Sequence, residues 1–204
     1  MQQATVQLGK IGIQAIVNTM GVSVSAAFAV VNRIDDFAYT PEQNIAHAMT
    51  ALMAQNKGAG KIDRMKEGFR CGIILETIYG ILIFIICFAL ARPLMMMFVK
   101  DEEVIGHGVT YLHLISVMYL LPALTNGIQG FFRGIGDLKI TLISSFINMA
   151  LRVLAAAPLV LIWKMGIEAL PYSYLAGWIG MLVAETPLLL KTYKTWGKKG
   201  ETPC

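Results

Sequence analysis

Long apolar stretches alternate with short polar segments along the whole chain. The clearest stretch covers 71–91 (CGIILETIYGILIFIICFALA), in which Glu76 is the only charge. A second covers 140–163 with Arg152 alone charged, and a third covers 166–190, interrupted only by Glu168 and Glu185. A helix rising about 1.5 Å per residue needs roughly 20 such residues to cross the hydrocarbon layer. Inside lipid the backbone must satisfy its own hydrogen bonds, so repeated runs of this length read as spanning helices. The pattern predicts an all-α, polytopic transmembrane bundle of six spans, at about 1–18, 23–55, 67–91, 104–131, 139–163 and 167–190. Gly and Pro punctuation separates them at Lys57-Gly58-Ala59-Gly60, Arg92-Pro93, Arg133-Gly134-Ile135-Gly136-Asp137 and Lys164-Met165-Gly166. Within the long second segment, Pro41 predicts a kink or a wide turn.

Composition narrows the function classes. The chain is 56% hydrophobic with a mean hydropathy of +0.61, against about 45–50% apolar in a typical soluble domain. Its 204 residues hold about six spans and leave no room for a soluble catalytic domain. The net charge of +4 comes from basic residues dispersed over loops, which fits an anionic membrane surface and not nucleic acid. Cys71, Cys87 and Cys204 form neither a disulfide framework nor a zinc spacing. The opening MQQATVQLGK has no basic region ahead of an apolar core, so no signal peptide is expected. His47, His107 and His113 are scattered, and Gly58-Ala59-Gly60-Lys61 lacks the spacing and the Ser/Thr of a phosphate-binding loop. No His, Cys or carboxylate constellation has catalytic spacing, so an enzyme is not expected. No cofactor is expected either.

Loop charges set an orientation. With the N-terminus inside, the inner loops and tail hold Lys57, Lys61, Arg64, Lys66, Arg70, Arg133, Lys139, Lys191, Lys194, Lys198 and Lys199. The outer loops hold Arg92, Lys100 and Lys164. Eleven against three predicts both termini on the cytoplasmic side.

Lys10, Arg33 and Arg152 fall inside predicted spans, where a charge must face protein or water. Lys10 belongs to a stripe of Gln3, Gln7, Lys10, Gln14 and Asn18 at helical spacing. Such a stripe lines a polar cavity or seals two helices by hydrogen bonds. In the second helix, Asn32-Arg33-Ile34-Asp35-Asp36 places Arg33 within reach of Asp36 at i+3 and leaves Asp35 on a neighbouring face. These carboxylates are either ion sites or a structural ion pair near the interface. Arg152, with Asn148, Ser145 and Thr141 on its side of the fifth helix, makes a further stripe that suits a helix-packing ion pair better than a substrate contact. Met95-Met96-Met97 lies near a span end and suits packing or lipid. Glu185 before Thr186-Pro187 points to a structural role, with a break in the helix there.

The segment Ala29-Val30-Val31-Asn32-Arg33-Ile34-Asp35, then Pro41, then Leu52 to Lys61 (LMAQNKGAGK) resembles the eighth helix and following cytoplasmic loop of multidrug and toxic compound extrusion (MATE) transporters. Gly127 to Asp137, GIQGFFRGIGD, resembles the loop after that family's tenth helix, and Arg92-Pro93-Leu94 with Phe98 and an acidic stretch fits the ninth-to-tenth connection. The resemblance covers the whole chain but only the C-terminal six-helix lobe, leaving the N-terminal lobe absent. It implies a secondary efflux antiporter of the bacterial plasma membrane that exports drugs or organic cations in exchange for sodium or protons. Small organic substrates, the lipid bilayer, and a missing lobe or a second copy of the chain are the implied partners. Some branches carry a cation-binding Glu in the seventh helix and an Asp in the tenth. Here the first helix offers Lys10, Gln14 and Asn18, and 104–131 has no such carboxylate, which favours a branch similar to DNA-damage-inducible members. A lipid-linked saccharide flippase of the same superfamily and a non-transporting membrane subunit are the alternatives, the former given some footing by Lys10 and Arg152.

Overall fold

The computed structural model describes the backbone of residues 2–199 and the side chains of Gln7 and of residues 9–195. Eight helices follow one another: α1 Gln2–Asn18, α2 Val22–Gly58, α3 Ile62–Ala89, α4 Ala91–Met96, α5 Glu102–Ser116, α6 Leu120–Gly134, α7 Leu138–Leu161 and α8 Ala169–Lys199. The helices α3, α7 and α8 are each long and apolar enough to cross a membrane, and α5 with α6 qualifies as one bent span. Polar residues interrupt both α1, which is 17 residues long, and α2, which runs for 37. Both helices are held by packing. Ile13 and Val17 of α1 are buried, a Cβ on Gly9 would run into Met149 of α7, and one on Gly12 would stand 3.3 Å from Val153.

The single helix expected over 104–131 is two, bent by 52° at residues 117–119. Pro122 has no N–H to offer the Met118 carbonyl, which is taken instead by Leu121 N–H at 2.9 Å in a tighter turn. Pro41 has the opposite outcome: α2 runs through it as one 37-residue helix, with no wide turn. Nor does the chain break at Glu185-Thr186-Pro187, because α8 continues past it.

Two clusters form the interior. Around Tyr111, Leu112, Ile115 and Tyr119, side chains of α1, α2, α5, α7 and α8 meet. Met53, Met65, Ile128, Phe131 and Phe132 make a smaller one between α2, α3 and α6. Residues Ile74, Ile78, Ile81 and Ile85 follow one face of α3 and stay exposed, as an apolar stripe facing acyl chains does. Of the methionine run, Met95 is buried against Gly108, while Met96 and Met97 are exposed.

The contact of α2 with α6 explains the glycines of GIQGFFRGIGD. A Cβ on Gly130 would stand 2.6 Å from the Ala46 carbonyl oxygen, and one on Gly134 would stand 2.6 Å from that of Thr50. Small residues four apart let two backbones approach this closely. The Thr50 hydroxyl uses the approach, donating to the Gly130 carbonyl at 3.1 Å.

Basic residues gather at one end of the bundle. There the Lys57 ammonium donates to the Ile135 carbonyl and the Tyr193 hydroxyl to that of Lys66 at 3.3 Å, joining the loop after α2, the loop after α6 and the last turns of α8. Lys61, Arg64, Arg133, Lys139, Lys191 and Lys194 belong to the same helix ends. Lys198 and Lys199 lie outside the described side chains. The opposite end holds Lys100, Lys164 and an exposed 2.8 Å ion pair of Arg92 with Glu102.

Candidate functional site: a polar cleft

A half-open cleft of about 540 Å³ runs between α1, α2, α6, α7 and α8. From α1, Gln7, Lys10 and Gln14 line it, as their recurrence every three or four residues dictates. Asn18, one turn further, lies beyond the lining and accepts a 2.9 Å hydrogen bond from the Gln14 amide. The side chain of Gln3 is outside the described residues. From α2 come Asn32, Asp35 and Asp36. Arg33 is exposed outside the cleft, and among the described residues no ion pair joins it to Asp36. With Asp36 turned into the cleft, the expected i+3 neutralisation does not form.

Asp35 is the deepest acidic group of the lining, 4% exposed, and accepts a 2.5 Å hydrogen bond from the Tyr119 hydroxyl. Tyr119 sits at the bend between α5 and α6, so the cleft carboxylate is tied directly to the break in that span. Lys10 and Arg152 stand near enough for their charges to act on Asp35. A hydroxyl donating to a carboxylate in a place sheltered from water is a charge-assisted bond, among the stronger kinds.

Ser145, Asn148 and Arg152 of α7 line the opposite wall, as one stripe. Arg152 is packed, but not by an ion pair: its guanidinium carbon lies 3.3 Å above the Tyr174 ring of α8. That ring makes edge contacts with Trp178 at 5.9 Å and Tyr111 at 6.5 Å. Arg152 can lie flat here because the facing residue is Gly177, whose missing Cβ would stand 2.5 Å from the arginine Cγ. Stacked on an aromatic face, a guanidinium keeps its charge while shedding water.

The floor is a side-chain network. The Gln129 amide of α6 donates to Ser145 of α7 and to the buried Glu185 of α8, both at 3.3 Å. Gln129 therefore joins α6 to both α7 and α8. Arg133 and His47 complete the basic lining, so the wall carries Lys10, Arg133 and Arg152 against Asp35 and Asp36. Such a surface can hold an organic molecule bearing charge, with aromatic and methionine side chains for its apolar parts.

Sequence reasoning passed over Tyr119, Tyr174, Gln129 and Asn126. Nothing in local periodicity separates a tyrosine that holds a carboxylate from one that only packs. Gln129 and Asn126 sat in plain view, polar and three apart in an apolar helix, and the cost of burying such groups unpaired was the available signal.

Residues 1–157, well over half of the chain, match the MatE family profile. The chain is 29% identical over 201 residues to the probable multidrug resistance protein YoeA of Bacillus subtilis, covering 95% of this chain and 42% of that protein. It is 23% identical over 175 residues to the probable multidrug resistance protein NorM of Thermotoga maritima, covering 84% and 36%. The chain thus spans less than half the length of these relatives. Among solved structures, a MATE crystal structure in complex with MaL6 matches 97% of this chain and 45% of its own, with a TM-score of 0.89 at 16% identity. A transporter of the MOP superfamily from Pyrococcus furiosus matches with a TM-score of 0.83, 91% and 40% coverage and 15% identity. These likenesses speak for the fold: a polytopic bundle matching under half of a transporter. The chain belongs to the MatE family.

Proposed function

We propose that this chain forms the C-terminal lobe of a secondary efflux antiporter, with its cleft as one wall of a central substrate cavity. The observation that carries the reading is the half-open polar cleft, in which a buried carboxylate, Asp35, lies beside two cations and an aromatic shelf. The relatives' printed names, probable multidrug resistance proteins, support small organic substrates. Sodium or protons drive the exchange, and Asp35 and Asp36 are the cleft's ion-responsive groups, since intramembrane carboxylates serve such roles. Alternating access needs a second body to rock against, supplied by an N-terminal lobe or a second copy of this chain. The setting is the bacterial plasma membrane, with both termini cytoplasmic, and no enzymatic step is involved.

The test is efflux of a fluorescent organic cation from drug-sensitive bacteria expressing the chain alone, or together with the N-terminal half of a MatE relative. Gradient-dependent efflux is expected from the pair, and from the chain alone only where two copies assemble, and it should fall at least tenfold in Asp35→Asn. Efflux by the pair that ignores the ion gradient, or a correctly inserted pair that moves no substrate, overturns the proposal.

A further inference from the structure

Behind Asn126 of the cleft lining, three helices converge on a second acidic centre. Glu42 of α2 and Glu76 of α3 are both 0% exposed, and Glu76 is close enough for its charge to bear on Glu42. Asn126 of α6 donates to one Glu42 oxygen at 3.4 Å. The remaining Glu42 oxygen and both oxygens of Glu76 have no hydrogen-bond partner. Glu76 is pressed against α6 where Gly127 leaves room: a Cβ there would stand 3.6 Å from the Glu76 Cγ. One turn away the Tyr79 hydroxyl donates to the Ala38 carbonyl at 3.1 Å, fastening α3 to α2.

Two carboxylates cannot both stay ionised side by side in a dry interior. Desolvation and mutual repulsion each cost several kcal/mol. The titratable groups that bear on the pair are Asp35 and Tyr39 from α2 and Tyr79 from α3, with Asn126 as the polar contact from α6. None is a cation, so no protein charge balances a second carboxylate. A divalent metal is a poor answer, because among the described residues no three acidic, His or Cys side chains are placed to hold one. A proton meets the need with the groups present, since it removes one of the two buried charges.

We propose that Glu42 and Glu76 form a buried proton-binding site that holds one proton, next to the substrate cleft and joined to its lining by Asn126. The site is closed in this conformation, and it shares α2 and α6 with the cleft. Asp35–Tyr119 and Glu42–Asn126 both link α2 to the stretch from the α5–α6 bend onward, so a movement of α6 at the bend disturbs both. The use of this proton in transport rests on the function proposed above, whereas its presence does not.

Infrared spectroscopy on the chain in lipid nanodiscs tests this without requiring transport. At neutral pH, the difference spectrum of the parent protein minus Glu42→Gln/Glu76→Gln should show one protonated-carboxyl C=O stretch that shifts down in D2O. The band should persist when potassium is replaced by sodium at the same pH. A difference spectrum containing only ionised carboxylate bands overturns the proposal. Loss of the band on adding sodium overturns it too, in favour of a sodium site. Should the double variant fail to fold, the single Gln variants serve: each must shift or remove the band, and a band unchanged in both refutes the assignment. Persistence of the band in a protein that moves no substrate would count against the transport reading alone.

Discussion

Gly130 fixes the distance between α2 and α6 by what it lacks. With the Ala46 carbonyl oxygen 2.6 Å from the place of a Cβ, and its Cα at 3.2 Å, the obstacle is backbone and cannot rotate aside. Gly130→Ala should therefore destabilise the fold by about 1–3 kcal/mol, the usual cost of overpacking, and lower the thermal midpoint in detergent. Gly106 is the contrasting case. It lies exposed on α5 with nothing within 4 Å, so Gly106→Ala should leave the midpoint unchanged or raise it, by up to about 1 kcal/mol of helix propensity. A Gly130→Ala midpoint as high as that of Gly106→Ala would show that the α2–α6 approach does not constrain position 130. The same reasoning applies at Gly177, where an absent side chain lets the Arg152 stem lie along α8 beneath its ring contact with Tyr174.

Among the helices, the bend at 117–119 has the widest reach, because it places Tyr119 on Asp35 and turns Asn126 toward Glu42. Restoring an N–H at position 122 should let the Met118 carbonyl regain its ordinary helical partner. Pro122→Ala is expected to straighten the span, lengthening the separation of spin labels at 103 and 133 by roughly 4–5 Å for two 15-residue helices rising 1.5 Å per residue. An unchanged distance would mean that packing against α2 holds the bend and the proline merely tolerates it. The sequence made α3 and α7 legible because lipid-facing positions must be apolar over a full span, which imposes a run that no loop imitates. It made the α1 stripe legible because Lys10 cannot face lipid. It did not disclose the bend, since a proline at the third position of a new helix reads the same as a proline inside a continuous one. The Glu42–Glu76 pair was hidden for another reason. The two residues lie 34 positions apart, and only the crossing of α2 and α3 brings them together.

For the molecule as a whole, the segregation of charge between the two ends of the bundle decides how it sits in the membrane. The end formed by the loops after α2 and α6 and the last turns of α8 collects Lys57, Lys61, Arg64, Arg133, Lys139, Lys191 and Lys194, and the other end holds Arg92, Lys100 and Lys164. Arg92 is already paired with Glu102, which reduces the positive charge of the outer end further. Basic loops resist translocation, and the bias acts most strongly in short connections such as these. Single cysteines at 61, 133 and 194 should therefore be shielded from an impermeant thiol reagent on intact cells and react after the membrane is opened. Cysteines at 100 and 102 should react in intact cells. Cys71 is exposed and Cys87 buried, and both, with Cys204, must be replaced first so that background labelling does not blur the result. Labelling of position 61 or 133 from outside would invert the bundle.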